Sequence, residues 1–251
     1  MYEVCPKCEY CRQPSDPADT DSCPRCGIIY AKWLKQQLQP ATGSDISATD
    51  EYPGRMRQFL SLILDTGPAA EPAYIYGRTV ILIIFLVWGW QFIMMDFNSN
   101  PYEIGQSFMH NINLVFHEAG HVFFRPFGWF MTIAGGSIFQ LLVPLFIMFF
   151  FIFRQHDNFA ASIAMWWTGQ SFMDLAPYID DAMEQKLVLL GGQTGADAPG
   201  NHDWNNILIE FNHLEKCHDY ATIADTSGTI LMLIAFGWGG YILYRQYQVS
   251  F

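Results

Sequence analysis

The apolar positions of this chain come in long blocks rather than at the period of an amphipathic helix or a half-buried strand. A block of about 18 or more residues without charge is long enough to cross a bilayer as a helix. Thr79–Met95 is the clearest: it is charge-free between Arg78 and Asp96, with Trp and Tyr near its ends. The pattern predicts spans at about 79–95, 106–124, 130–153, 159–179 and 226–244. The third falls in the charge-free stretch Pro126–Phe153, long enough for a tilted helix or for a re-entrant turn at Gly135-Gly136 followed by a span. The expected fold is an all-α polytopic membrane protein of about five transmembrane helices, with the membrane domain over residues 77–251.

Ahead of that domain, residues 1–33 form a compact cysteine-rich module and residues 34–76 a linker. The linker is polar around Gln36–Gly54, then apolar at Phe59–Leu64, a patch suited to the membrane surface. A polar loop with a Gly-rich tract (Gly191–Gly200) and an amphipathic stretch (Trp204–His218) separate the last two spans. Composition agrees with a membrane protein: hydrophobic residues make up 51% and charged residues only 15%, against roughly 25% charged in ordinary soluble domains.

The net charge of −11 matters less than its placement. Most of the 13 Lys and Arg precede position 79, and acidic residues crowd Asp180–Asp225. No basic stripe suited to nucleic acid is present. By the positive-inside rule the basic N-terminal segment stays inside, which brings Arg125, Lys186 and Lys216 inside and leaves Arg154 and Arg245 outside. Met1–Cys5 lead straight into the cysteines with no apolar h-region, so the module is expected in the cytoplasm, where thiols stay reduced.

That module reads Cys5-Pro-Lys-Cys8 and, after fourteen residues, Cys23-Pro-Arg-Cys26. Two such knuckles supply four thiolates for one tetrahedral structural zinc. In so small a domain the metal provides much of the folding free energy. Cys11 is an extra thiol close to the first knuckle, a spare that could swap in as a ligand, and Cys217 reads as a buried or idle thiol. The module resembles zinc ribbons at the ends of many bacterial proteins; a bacterial inner membrane is the expected location, and the ribbon's role stays open between binding a protein partner or substrate, regulating access, and structure alone.

The second span holds His110, His117, Glu118 and His121. Ionisable groups in a membrane segment are costly and point to function. In His117-Glu118-Ala119-Gly120-His121 the two histidines, four apart, share a helix face and can ligate one zinc. Zinc lowers the pKa of bound water to about 7 and polarises a carbonyl, and Glu118 is placed to act as general base. A third ligand is expected at the same depth, at the inner end of the fourth span, where Asp174, Asp180 and Asp181 lie. His202, in the following loop, is a further candidate as ligand or substrate-positioning group.

A His-Glu-Ala-Gly-His helix, a Gly135-Gly136-Ser137 stretch and a later Asp174-x-x-Pro177 followed by Asp180-Asp181 resemble the site-2 protease group of intramembrane zinc metalloproteases. In that family Asn-x-x-Pro and then Leu-Asp-Gly supply the third ligand from the Asp. The resemblance, over roughly residues 105–185, makes Asp181 the best match, with Asp180 and Asp174 as alternatives because Ala182 replaces the Gly and the spacing is about one residue short. It implies an endopeptidase holding zinc on His117, His121 and Asp181, with Glu118 as general base. The substrate would be a membrane protein or peptide in or beside the lipid bilayer. A helical substrate must unwind to expose its carbonyl, so a strand-like docking edge is expected at Gly135-Gly136-Ser137 and Phe139-Gln140. The competing reading is a non-catalytic zinc-ribbon adaptor or metal-binding sensor.

Overall fold

A computed structural model describes residues 4–14, 16, 21–33, 54–67 and 71–250. The polar segment of the expected linker, residues 34–53, lies outside the described residues. The chain divides into two units, Met1–Arg55 and Met56–Phe251.

In the first unit the two knuckles are built alike. The Cys5 N–H donates to Tyr10 O and the Glu9 N–H to Cys5 O; in the second knuckle Cys23 N–H donates to Ile28 O and Gly27 N–H to Cys23 O. Each knuckle turns through a positive φ, at Glu9 (56°) and Gly27 (70°), and each is closed by an antiparallel bridge, Val4 with Cys11 and Ser22 with Ile29. Tyr30 packs on Cys5 and Cys23 as the small core.

The second unit is helical. Its elements are α1 (Arg55–Ile63), α2 (Pro72–Met94), a single turn at Tyr102–Gly105, α3 (Phe108–Phe124), α4 (Trp129–Phe150), α5 (Asn158–Asp180), α6 (Asp203–Glu210) and α7 (Cys217–Ser250). Local chemistry sets several starts. Pro72 opens α2, a position where its missing N–H costs nothing. Ser107 caps α3 by accepting from His110 N at 3.1 Å, and Asp157 caps α5 by accepting from Ala160 N at 3.0 Å. Asp157 also pairs with Arg78, whose guanidinium donates to Gln246 at 3.2 Å. A buried cation at the start of α2 is thereby neutralised.

α5 is the central helix, buried along most of its length and packed against α7, α4, α2 and α3. Trp166 and Met173 of α5 form a core with Phe92 of α2 and Met232 of α7. Large apolar side chains cover the outer faces of the other helices, among them Val80, Ile84 and Val87 on α2, Phe146 on α4, and Ile223 and Ile230 on α7. Such a belt suits lipid, in which helices associate through close packing rather than the hydrophobic effect. The α3–α4 crossing shows this: a Cβ at Gly120 would lie 2.2 Å from Gly135 O, so only glycine permits the approach.

Among the described residues, three stretches are long and apolar enough to cross a membrane: Pro72–Met94, Trp129–Gln155 and Leu214–Ser250. The expected second and fourth spans form helices α3 and α5 but do not meet that measure. α3 has 17 residues and carries three histidines and a glutamate. α5 turns Thr168, Gln170, Ser171 and Asp174 inward, and a helix enclosed by protein needs no lipophilic surface. Residues 129–150 are one continuous helix. Of the two readings of Pro126–Phe153, the structure has the helix and not the re-entrant turn at Gly135-Gly136: both glycines serve helix contact, and the stretch offers no free strand edge. The last helix, at 34 residues, far exceeds the expected 226–244.

α1 is tied to the bundle by side chains that reach its C-terminal carbonyls. Asn158 Nδ2 donates to Leu62 O and Asp65 O, both at 2.8 Å. Trp238 Nε1 donates to Ile63 O at 2.7 Å, and Gln246 Nε2 to Thr66 O at 3.0 Å. Phe59, Leu60 and Leu64 of the apolar patch remain exposed.

Candidate metal centre

α3 presents His117 and His121 on one face, their ring centroids 4.9 Å apart. Each imidazole is oriented from behind. His117 Nδ1 meets Gln140 Oε1 at 3.1 Å, and His121 Nδ1 meets Thr132 O at 2.8 Å; both acceptors sit on α4. A carbonyl oxygen only accepts, so each ring carries its proton on Nδ1, and Nε2 presents a lone pair. Both Nε2 atoms face Asp203 Oδ2, at 3.0 Å from His117 and 3.2 Å from His121.

The three donor atoms lie within 4.8 Å of one another. Burial raises the Asp203 carboxyl, but pairing with His117 and His121 outweighs this and holds it below the usual carboxylate range. One divalent cation would satisfy all three donors at once. Two nitrogens and one carboxylate, each ring backed by a hydrogen bond, fit a metal with one coordination position left open. α4 forms the wall behind the site: a Cβ on Gly136 would lie 2.6 Å from His117 Nε2 and 2.7 Å from His121 Nε2.

Asp203 is the first residue of α6, and its position is fixed by neighbours. Its N–H donates to Tyr178 Oη at 2.9 Å. Trp204 Nε1 donates to Ser137 Oγ at 3.1 Å, fastening α6 to α4. His202 is fully buried and caps α6, its Nδ1 accepting from Asn205 N at 3.2 Å, while its Nε2 points at Asp181 Oδ2 at 3.3 Å.

The acids expected from the fourth span therefore have other partners. Asp181 does not join the histidines: its oxygens accept from Lys186 N at 2.8 Å and Leu187 N at 2.9 Å, just after α5. Asp180 pairs with His218 at 2.9 Å. Asp174 accepts from Gln140, Asn113 and His110. His202, a candidate ligand or substrate-positioning group, instead caps α6, and His213 bonds Tyr220 at 2.7 Å. The sequence draws attention to His202-Asp203-Trp204 through its histidine, and the acid beside it goes unweighed. An acid at a helix start next to a buried histidine is the signal that could have found it.

Glu118 lines the same cavity as His117, His121 and Asp203, a space of about 770 Å³. It has no hydrogen-bond partner among the described residues, which leaves its carboxylate free to work on water. The far wall is the loop Leu187–Thr194, closed by a bridge between Val188 and Thr194, with Val188 and Leu190 exposed.

The second candidate centre is the cysteine module. Cys5, Cys8, Cys23 and Cys26 hold their sulfurs within 4.8 Å of one another, with Cys5–Cys26 and Cys8–Cys23 each 3.8 Å apart. Burial opposes ionisation of Cys23, but the backbone N–H groups of Cys26 and Arg25 outweigh it and bring that thiol down to about 6. A backbone hydrogen bond at Tyr10 favours the Cys8 thiolate, yet burial and the neighbouring sulfurs push Cys8 up to about 12. Cys11 stays exposed outside the cluster, and Cys217 is buried beside Ala182 and Leu208.

No family model, curated protein or solved structure matches this chain.

Proposed function

We propose that this chain is an intramembrane zinc metallopeptidase, similar in its chemistry to the site-2 protease group. The observation that supports this best is the convergence of His117, His121 and Asp203, with an unpartnered Glu118 in the same cavity, inside a bundle whose outer helices suit a bilayer. In this reading α3 and α5 also lie within the membrane, shielded by α2, α4 and α7, which gives five spans. The N-terminal module lies on the cytoplasmic side of a bacterial inner membrane and holds a second, structural zinc on Cys5, Cys8, Cys23 and Cys26.

Zinc, when bound, supplies Lewis acidity and an activated water. The chain's own residues do the rest. His117, His121 and Asp203 would hold the ion at the cavity. Glu118 accepts the proton of the attacking water and returns it to the leaving amine. The belt of apolar helices restricts bulk water, so charges in the site act in a low-dielectric surround. The substrate is a membrane protein or membrane-proximal peptide whose cleaved segment is locally extended in the cavity.

The test is cleavage of fluorogenic transmembrane peptides by the protein reconstituted in vesicles, comparing the natural chain with Glu118→Gln. Cleavage by the natural chain that falls by about 10²–10⁴-fold in Glu118→Gln, with zinc content unchanged, is the expected result. Equal cleavage by both would eliminate this mechanism.

A further inference from the structure

Behind His117 the bundle holds more polar contacts than a single hydrogen bond to a ligand requires. Gln140 Oε1 faces His117 Nδ1 at 3.1 Å, while Gln140 Nε2 donates to Asp174 Oδ2 at 3.0 Å and toward Ser171 O at 3.5 Å. Asp174 is itself gripped by others. Oδ1 meets His110 Nδ1 at 3.0 Å, and Oδ2 also accepts from Asn113 Nδ2 at 3.2 Å. Asn113 in turn is oriented by Gln170, to whose Oε1 it donates at 2.8 Å, and by Trp167, whose Nε1 donates to Asn113 Oδ1 at 2.9 Å. Gln140, Asn113, Gln170 and Asp174 are all buried.

The two ends of an amide have similar shape but opposite hydrogen-bonding character, so Gln140 alone does not decide which end meets His117. Its surroundings decide. On the side away from His117 stand a carboxylate and a main-chain carbonyl, both acceptors, and only the amide NH₂ can face them. The oxygen is then left for His117, where it demands a proton on Nδ1. Reversing Gln140 would set its oxygen against Asp174 Oδ2 and its NH₂ against a protonated Nδ1, leaving two buried contacts unmade. We propose that Asp174 is a positioning residue: acting through the amide of Gln140, it fixes the Nδ1–H tautomer of His117 and so reserves the Nε2 lone pair for the metal. His121 needs no such device, because its Nδ1 faces a main-chain carbonyl, Thr132 O, which cannot reverse. The two ligands are thus held by different means, one by backbone and one by a chain of side chains.

This inference rests on the metal reading of the site but not on peptidase activity, and zinc alone tests it. The full chain in detergent is titrated with zinc, with the ribbon filled first, and the ¹⁵N signals of its histidines report the tautomer. The natural chain is expected to bind a second zinc with His117 in the Nδ1–H form. Asp174→Leu removes both acceptor oxygens, and the second affinity is expected to fall about 10–100-fold, with mixed tautomers at His117. The exchange Asp174→Asn with Gln140→Glu supplies a carboxylate at position 140, which accepts from His117 by one oxygen and from the new amide at position 174 by the other. It is expected to recover the tautomer and most of the affinity. Natural affinity in Asp174→Leu overturns the proposal, and so does an exchange variant that folds but regains neither tautomer nor zinc. A natural chain that takes up zinc only at the ribbon removes the embedded metal site itself, a separate failure.

Discussion

Gly136→Ala tests the geometry of the embedded site most directly. A β-carbon there would lie 2.6 Å from His117 Nε2 and 2.7 Å from both Nε2 and Cε1 of His121, against ordinary contacts that begin at 3.4 Å. Either α4 withdraws or the imidazoles move by about 0.8 Å, the difference between 3.4 and 2.6 Å. Metal–ligand distances tolerate only about 0.2 Å, and α4 is held near α3 by the Gly120–Gly135 crossing. Both ligands move together, a larger insult than losing one supporting hydrogen bond, which costs ~10–100-fold in affinity. The expected loss is therefore about 100-fold or more, or about 2.8 kcal/mol. The assay is zinc content and zinc titration of the detergent-purified variant, beside Gly240→Ala, where a Cβ meets open space. One zinc per chain in Gly136→Ala and two in Gly240→Ala is the expected result. Two tightly held zincs in Gly136→Ala, at an unchanged melting temperature, would refute the reasoning.

Asp203→Ala should lose the embedded zinc and keep the ribbon zinc, whereas Asp181→Ala should keep both; metal analysis of the two proteins separates the carboxylates. Asn158→Ala removes two hydrogen bonds to the end of α1, and at about 0.5–1.5 kcal/mol each it should lower the melting temperature and speed proteolysis between α1 and α2 without changing zinc content. Zinc binding by the ribbon should weaken as pH falls, because metal replaces protons on sulfur. Above about pH 6 the Cys23 thiol is already ionised, and below it that proton too must be displaced. The slope of log affinity against pH should therefore steepen by about one below pH 6, as measured by competition with a zinc indicator. An unchanged slope would contradict the assignment for Cys23.

What is legible in the sequence follows from range. The His117–His121 pair and the Cys5–Cys8 and Cys23–Cys26 pairs are local, so helix period and knuckle spacing suffice to group them. Long apolar runs mark α2, α4 and α7 for the same reason. Asp203 is hidden because it meets the histidines only through tertiary folding, from the start of a short helix far along the chain from His121. Family resemblance points instead to Asp181, which occupies a matching place in sequence but spends its oxygens on the backbone after α5. Gly135-Gly136 keeps a re-entrant turn open beside a tilted helix, because glycine is a poor helix former. Here its value lies in the missing side chain rather than in backbone freedom, and that is visible only once α3 lies against α4. The polar content of α5 likewise makes sense only when the helix is seen to be surrounded.

The two centres differ in what would strip them. Thiolate sulfur is oxidised readily, to sulfenic acid and on to disulfide, while imidazole and carboxylate resist the same reagents. A mild peroxide pulse would empty the cysteine module and spare His117, His121 and Asp203; acid would protonate both sets of donors. In the proposed two-metal chain, oxidative stress would strip the cysteine site before the histidine–carboxylate site.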